Sequence, residues 1–232
     1  MNEISVYIPR LSPALSHAAQ ALVAQGITTV PSATDADAIL LPVPTPADLD
    51  LAPFRNDLVV GGVLPDHIPR KIDLLQDPIY VAQNAAITAE AALGMILPHL
   101  SERFQDCPIL ILGWGRIGKA LAKLLASIGV PVRIYARAPQ DTAMLEALGY
   151  GRYAPEDLPK YRCVVNTAPA VILSARELSQ LRPDCYLLEL ASGTFLPAER
   201  TESGRGLPGK KKPEASGRLI AQTVARHLKG AL

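Results

Sequence analysis

This chain has little excess of either charge and few aromatic residues: 23 Lys and Arg stand against 22 Asp and Glu, the net charge is +1, and aromatic residues are 5% of the total, which gives no footprint for a nucleic acid. A nucleic-acid partner would want a basic face and rings on which bases stack. The three cysteines, Cys107, Cys163 and Cys185, are far apart, odd in number and fit no metal-ligand spacing. Neither a disulfide framework nor a metal site is therefore expected, and each cysteine reads as a small buried hydrophobe. Hydrophobic residues reach 49%, yet no unbroken apolar run approaches the ~20 residues that span a bilayer. The opening MNEISVYIPR has no basic region followed by an apolar segment and a small-residue cleavage site. A cytoplasmic protein with no nucleic-acid or membrane partner is expected, which leaves small-molecule chemistry.

At 232 residues the chain can bury a sizeable core, and two domains are expected. Residues 1–83 run through short apolar segments separated by turns: ISVYIP, the helix-like SHAAQALVAQG, ITTVP, DAILLPVP, LVVGGVLP and PIYVAQ. Such alternation implies a small parallel α/β domain of flavodoxin-like type, in which only the first strand is followed by a clear helix. A linking helix is expected over 84–105, with Thr88, Ala89 and Glu90 in its opening turns and Pro98 interrupting it. Strands at 108–112, 131–136, 162–166 and 185–190 then alternate with helices at 116–128, 140–149 and 174–181. That order predicts a doubly wound, Rossmann-type parallel sheet in an NAD(P)-binding domain over 106–212. After Leu190, ASGTFLPAERTESGRGLPGKKK shows no strand or helix period, and loops of that length are usually functional or disordered. Pro213, the stripe Ile220, Val224 and Leu228, and the closing Gly230 predict a helix over 213–232 that packs back on the body.

Gly113, Gly115 and Gly118 follow the buried-type strand CPILIL and open a helix that ends at Gly129, before the strand PVRIYA. A glycine triplet alone is a weak signal, but strand, turn, helix and second strand are the context that a dinucleotide fingerprint requires. Gly113 makes the tight turn, Gly115 removes a side chain so that backbone can approach a pyrophosphate, and Gly118 lets helix and strand pack closely. Main-chain amides across Trp114, Arg116 and Ile117 would face the phosphates at the helix mouth. The bland alternative is a strand-to-helix turn with no ligand. About twenty residues on, where a carboxylate would accept from a ribose 2′-hydroxyl, stand Ala136 and then Arg137. With no carboxylate to repel a 2′-phosphate and a guanidinium able to grip it, NADP is favoured over NAD, although an Arg beyond a strand end is also an ordinary surface charge. Asn166, Thr167, Ala168 and Pro169 at the end of one strand, and Ser192 and Gly193 after the next, fall at the carboxyl edge where open α/β sheets bind ligands.

The segments NAAITAEAAL, ILILGWGRIGKALAKLL, YARAP, VVNTAPAVIL, LELAS and GLPGKKKPEASGRLIAQTVARHL occur in an order that resembles the dipicolinate synthase A-subunit family of spore-forming bacteria, over roughly residues 84–232. The most specific part of the resemblance is Gly206-Leu207-Pro208-Gly209 followed by Lys210, Pro213 and Gly217, a string with no general folding explanation. The resemblance implies oxidation of a dihydrodipicolinate-type cyclic dicarboxylate from a branch of the lysine pathway, with hydride passing to NADP, in an enzyme that works with a second synthase subunit. Gaining an aromatic ring drives such a step, so the protein mainly orients the ring and holds two carboxylates. Asn84, Thr88, Ser192, Lys210 and the backbone at Gly206, Pro208 and Gly209 are the expected holders of substrate and cofactor. Glu90 is the natural proton acceptor, its alternative being a carboxylate that stabilises a helix N-terminus. Relatives carry a longer segment between LAS and GLPG and a longer first domain.

Two other readings stand beside this one. A 2-hydroxyacid dehydrogenase would share the two-domain arrangement, but it needs a histidine paired with a carboxylate in the cofactor domain. After His99 this chain has only His227, and His17 and His67 lie earlier still. The shortened loop motivates the second alternative, a non-catalytic NADP-binding subunit with a regulatory or assembly role. Each reading is compatible with a homo-oligomer.

Overall fold

The computed structural model describes residues 4–231, which fall into two compact units: Met1–Ile87 with Pro208–Leu232, and Thr88–Leu207. In the first unit, β1 (Ile4–Tyr7), α1 (Pro13–Val23), β2 (Ile27–Val30), β3 (Ala38–Leu40), β4 (Val59–Gly61) and β5 (Lys71–Asp73) precede α2 (Pro78–Ile96). All strand pairs are parallel, in the order β2-β1-β3-β4-β5. As the sequence implies, α1 is the one α-helix among these strands; single 3₁₀ turns lie between β2 and β3 and between β3 and β4, and irregular chain joins β4 to β5. Ser12 caps α1 by accepting from the Leu15 amide at 3.3 Å, and Pro13 supplies the pre-set φ of a first helical turn.

The segment PIYVAQ is not a strand-like run closing the first domain. It is the start of α2, which begins six residues before the expected position because Asp77 caps it. Asp77 Oδ1 accepts from the Ile79 and Tyr80 amides at 2.9 and 2.8 Å, with Pro78 as the first helical residue. Glu90 therefore lies deep inside α2, and the helix N-terminus reading of its carboxylate is withdrawn. Pro98 interrupts the helix as expected: α2 ends at Ile96 and a 3₁₀ turn covers Leu97–His99.

In the second unit, β6 (Ile109–Leu112), α3 (Arg116–Ser127), β7 (Val132–Tyr135), α4 (Pro139–Ala147), β8 (Gly151–Arg152), β9 (Cys163–Asn166), α5 (Ala175–Leu178), β10 (Tyr186–Glu189) and β11 (Thr201–Ser203) build a six-stranded sheet. Its order, β11-β10-β9-β6-β7-β8, is all parallel and doubly wound, with the direction of winding reversing between β6 and β9. Every residue of β6 and β9 is buried, and alternate side chains feed two cores. Ile109 and Ile111 face one cluster with Leu121 and Leu125 of α3, while Leu110 and Leu112 face another with Leu158 and Leu173. The stretch after Leu190 is not structureless. It holds a 3₁₀ turn, the edge strand β11 and a short helix, α6 (Leu207–Lys211). All three cysteines are buried, and burial pushes Cys185 up to about 12, so it is a thiol at neutral pH.

The final helix, α7 (Pro213–Ala231), packs along α1 within the first unit. Ile220, Val224 and Leu228 join Leu15, Ala18 and Leu22 in one core. Gly217 has a folding reason after all: a Cβ there would run into the Ala14 carbonyl oxygen and the His17 Cβ, so only glycine lets the two helices approach at backbone distance. Among the described residues no helix is long and apolar enough to cross a membrane.

Asp77 ties α7 to the start of α2 as well as capping it. Its Oδ2 accepts from the Arg226 guanidinium and bonds His227 Nε2, both at 2.7 Å. Burial alone would raise its pKa; the Tyr80 amide, His227 and Arg226 outweigh that and bring it from 3.8 to about 2. A carboxylate depressed on folding contributes stability above its unfolded pKa and loses it as pH falls through the folded one. That window runs from about pH 4 to 2, and the contribution is on the order of 1–2 kcal/mol, since Arg226 is partly solvated. Acid melts of Asp77→Asn should lack this limb, with Tm falling less steeply than in the parent below pH 4; parallel curves would remove Asp77 from the account.

Candidate functional site

Four strands of the second sheet end in one row, because Leu112, Tyr135, Asn166 and Glu189 are in register across β7, β6, β9 and β10. The segments that follow them hold most of the candidate ligand residues. Gly113 leaves β6 with φ +118°, and its amide donates to the Tyr135 carbonyl at 3.0 Å. A Cβ on Gly113 would lie 2.6 Å from Thr167 Oγ1, and one on Gly118 would collide with the Gly113 carbonyl oxygen. These two glycines therefore have packing reasons: a left-handed turn and the close seating of α3 on that turn. Thr167 locks the other side, its Oγ1 donating to the Leu112 carbonyl at 3.2 Å and its amide to the same oxygen at 2.8 Å.

Gly115 is different. Its φ of −79° suits any residue, and a Cβ there meets nothing within 4 Å. Neither conformation nor packing demands glycine at this position. It is the N-cap of α3, with no side chain to cap the first amides, and the helix mouth beside it is exposed. Bare helix N-termini of this kind suit anions through orphan N–H groups and the helix dipole. The residues present thus fit a dinucleotide pyrophosphate. Arg116 is exposed there and Ile117 half-buried. Trp114 turns its ring inward, 7% exposed, edge-on to Tyr150 at 5.5 Å and with Lys119 Nζ 5.6 Å from its centroid. Its main chain alone is left for a ligand.

Past β7, Ala136 is half-buried and Arg137 exposed. Past β9, Ala168 is half-buried and Pro169 exposed, and past β10 Ser192 is exposed. Sequence reading places Asn166 at this edge but misses Glu189, the residue with which it holds these last two loops. Glu189 is 4% exposed; its Oε1 accepts from Asn166 Nδ2 at 2.8 Å and the Ala191 amide at 3.1 Å, and its Oε2 from the Phe195 and Leu196 amides at 2.9 and 3.2 Å. Asn166 Oδ1 in turn accepts from the Ala168 amide at 3.2 Å. The available signal was a lone carboxylate closing an apolar strand, since a buried charge must be fully hydrogen-bonded.

Of the remaining candidates, Thr88 is buried and Glu90 exposed on the part of α2 in the second unit. Asn84, one turn before Thr88, belongs to the first unit, as do Pro208, Gly209 and Lys210. Gly206 takes φ +69° where the chain turns into α6, and Leu207 is buried in the second unit's core. Much of the GLPG string is thus local folding chemistry. Gly209 is an exception: a Cβ there would meet only the Ala14 Cβ, at an ordinary contact distance of 3.8 Å.

This sheet, glycine turn and capless helix have the arrangement of a dinucleotide-binding domain, and residues 95–199 match the family model described as the NAD binding domain of the D-isomer specific 2-hydroxyacid dehydrogenases, which supports a nicotinamide cofactor. More particularly, the chain is similar to the dipicolinate synthase A-subunit of Bacillus subtilis, with 27% identity over 157 residues, 62% of this chain and 53% of that protein. The aligned part is thus about half the length of that relative. Glyoxylate/hydroxypyruvate reductase A of Serratia proteamaculans is 30% identical over 104 residues, 43% of this chain and 32% of that protein. In fold, the dipicolinate synthase A-subunit of Bacillus halodurans superposes with a TM-score of 0.81 at 19% identity, covering 98% of each chain. The likeness of fold therefore runs through the first 83 residues, where the sequence resemblance is weakest.

Proposed function

We propose that this chain is an NADP-dependent oxidoreductase subunit of the dipicolinate synthase A type, converting a dihydrodipicolinate-type cyclic dicarboxylate to pyridine-2,6-dicarboxylate together with a second subunit. The observation that carries the reading is the open space at Gly115, beside helix amides that no side chain caps. The Thr88–Leu207 unit is assigned the cofactor. In it, the amides at Arg116 to Gly118 hold the pyrophosphate, Arg137 pairs with the ribose 2′-phosphate, and the Thr167–Pro169 backbone faces the nicotinamide ribose. Bound nicotinamide supplies the hydride acceptor. Loss of hydride from a ring carbon must be matched by loss of a proton, which is assigned to the exposed Glu90 carboxylate, with Thr88 and Ser192 orienting the ring. Asn84 and Lys210 rest on the resemblance alone.

The 2-hydroxyacid dehydrogenase alternative is less well supported. The second unit has one histidine, His99, stacked on Tyr186 at 3.8 Å, and His227 is bound to Asp77 in the first unit. The reading is tested by titrating the protein with NADPH and following nicotinamide fluorescence, then assaying NADP reduction with the cyclic precursor, with and without a second subunit. Saturable binding and precursor-dependent reduction are expected. No response to any nicotinamide nucleotide would sink the oxidoreductase reading, and binding without turnover in either assay would favour the assembly or sensing subunit. In the same titration Arg137→Ala should weaken NADP binding by roughly 10- to 100-fold and NAD binding little, the worth of one charge-assisted contact. Equal losses would refute its pairing with the 2′-phosphate.

A further inference from the structure

We infer that the seat for the cofactor's 2′-phosphate extends from the end of β7 onto the neighbouring strand β8, with Arg152 as its second cation; the inference rests on the NADP reading above. A cavity of about 130 Å³ opens beside Ala136, walled by Thr142 of α4 and Arg152 of β8 over an apolar floor that includes Ile134 and Leu145. That volume is well above the ~10–15 Å³ that admits one water. Its position is what gives it meaning. Ala136 stands where a carboxylate would accept from the ribose 2′-hydroxyl, so a cavity next to this side chain lies where a 2′-substituent would project.

Arg152 is held there by the sheet. It is in register with Ile134, so its side chain leaves the same face as Ile134 and, two residues on, Ala136. The guanidinium now meets Glu146 of α4 at 3.3 Å, with the two side chains 61% and 58% exposed. An exposed ion pair of this kind is worth little and is readily exchanged for a better anion. A phosphate offers a higher charge and a geometry that the guanidinium fork can grip twice. Thr142 Oγ1 donates to the Ala138 carbonyl at a long 3.3 Å and is the neutral donor of the set. Asp141 lies in the first turn of α4 but does not line the cavity. NAD, which brings only a hydroxyl to this place, gains nothing from Arg152.

The experiment measures displacement of NADPH by two probes, 2′,5′-ADP and 5′-ADP, in the parent protein, Arg152→Gln and Glu146→Gln. Arg152→Gln should weaken 2′,5′-ADP about 10-fold or more and leave 5′-ADP unchanged. Glu146→Gln, which frees the guanidinium without touching the core, should tighten 2′,5′-ADP several-fold and again leave 5′-ADP alone. Arg152→Gln with no effect on either probe, or with equal losses for both, would overturn the role of Arg152 while the dinucleotide site stood. A parent protein that binds both probes equally would overturn it too, marking the cofactor as NAD. Failure of the parent to bind either probe would overturn the dinucleotide reading itself.

Discussion

Gly115→Asp is expected to leave the fold intact and to abolish dinucleotide binding. The two effects separate because of what surrounds this glycine. Its backbone angles are ordinary, its φ being −79°, and an added Cβ meets no protein atom within 4 Å, so the substitution costs the native state little. An aspartate at an N-cap even stabilises a helix by bonding its first amides. Those amides are the ones a pyrophosphate needs, so the carboxylate both occupies the anion's place and repels it. Affinity should fall more than 100-fold, beyond about 2.7 kcal/mol, with Tm unchanged or raised by a degree or two. The decisive measurement pairs a melting curve with an NADPH titration. A variant that melts like its parent and still binds the nucleotide would show that the phosphate lies elsewhere.

Glu189→Ala should be strongly damaging to the second unit. The carboxylate is almost fully buried and accepts four hydrogen bonds, one from Asn166 and three from the backbone of 191–196. Removing it strands those donors, a loss of about 3–5 kcal/mol and a Tm lower by roughly 6–20 °C. Glu189→Gln keeps the volume but turns an amide NH₂ toward N–H donors that had an oxygen, so it should recover little. Because Asn166 also positions Ala168, cofactor affinity should fall together with stability. A Gln variant as stable as the parent would show that the loops are held by something else.

The glycine triplet shows how far sequence alone reaches. From spacing, Gly113 and Gly118 read as a turn and a close approach, and the collisions at their missing Cβ atoms are those two roles. The strands at the centre of the second sheet were legible because they are continuously apolar and flanked by glycine turns. The edge strands β5, β8 and β11 were not: KID, GR and TES are two or three residues long and mostly polar, and pairing with a neighbour forms them rather than any local period. The start of α2 was hidden for another reason. PIYVAQ reads as one more short apolar run, whereas after Asp77 its Pro78 is a first helical residue. Glu189 escaped because its importance lies in partners up to 23 residues away that only the fold brings within reach. Gly217 seemed to belong to a family signature until α1 was laid against it.

The union of α7 with α1 sets an order of assembly on the ribosome. The strands of the first unit emerge early, yet the side of α1 at Ala14 and Ala18, against which Gly217 is laid, waits for a helix encoded far downstream. At the ~5–20 residues per second of synthesis, the 144 residues from Thr88 to Ala231 take roughly 7–30 s. Through that interval α1 is without its partner helix, and the intervening unit has time to fold before the first one closes.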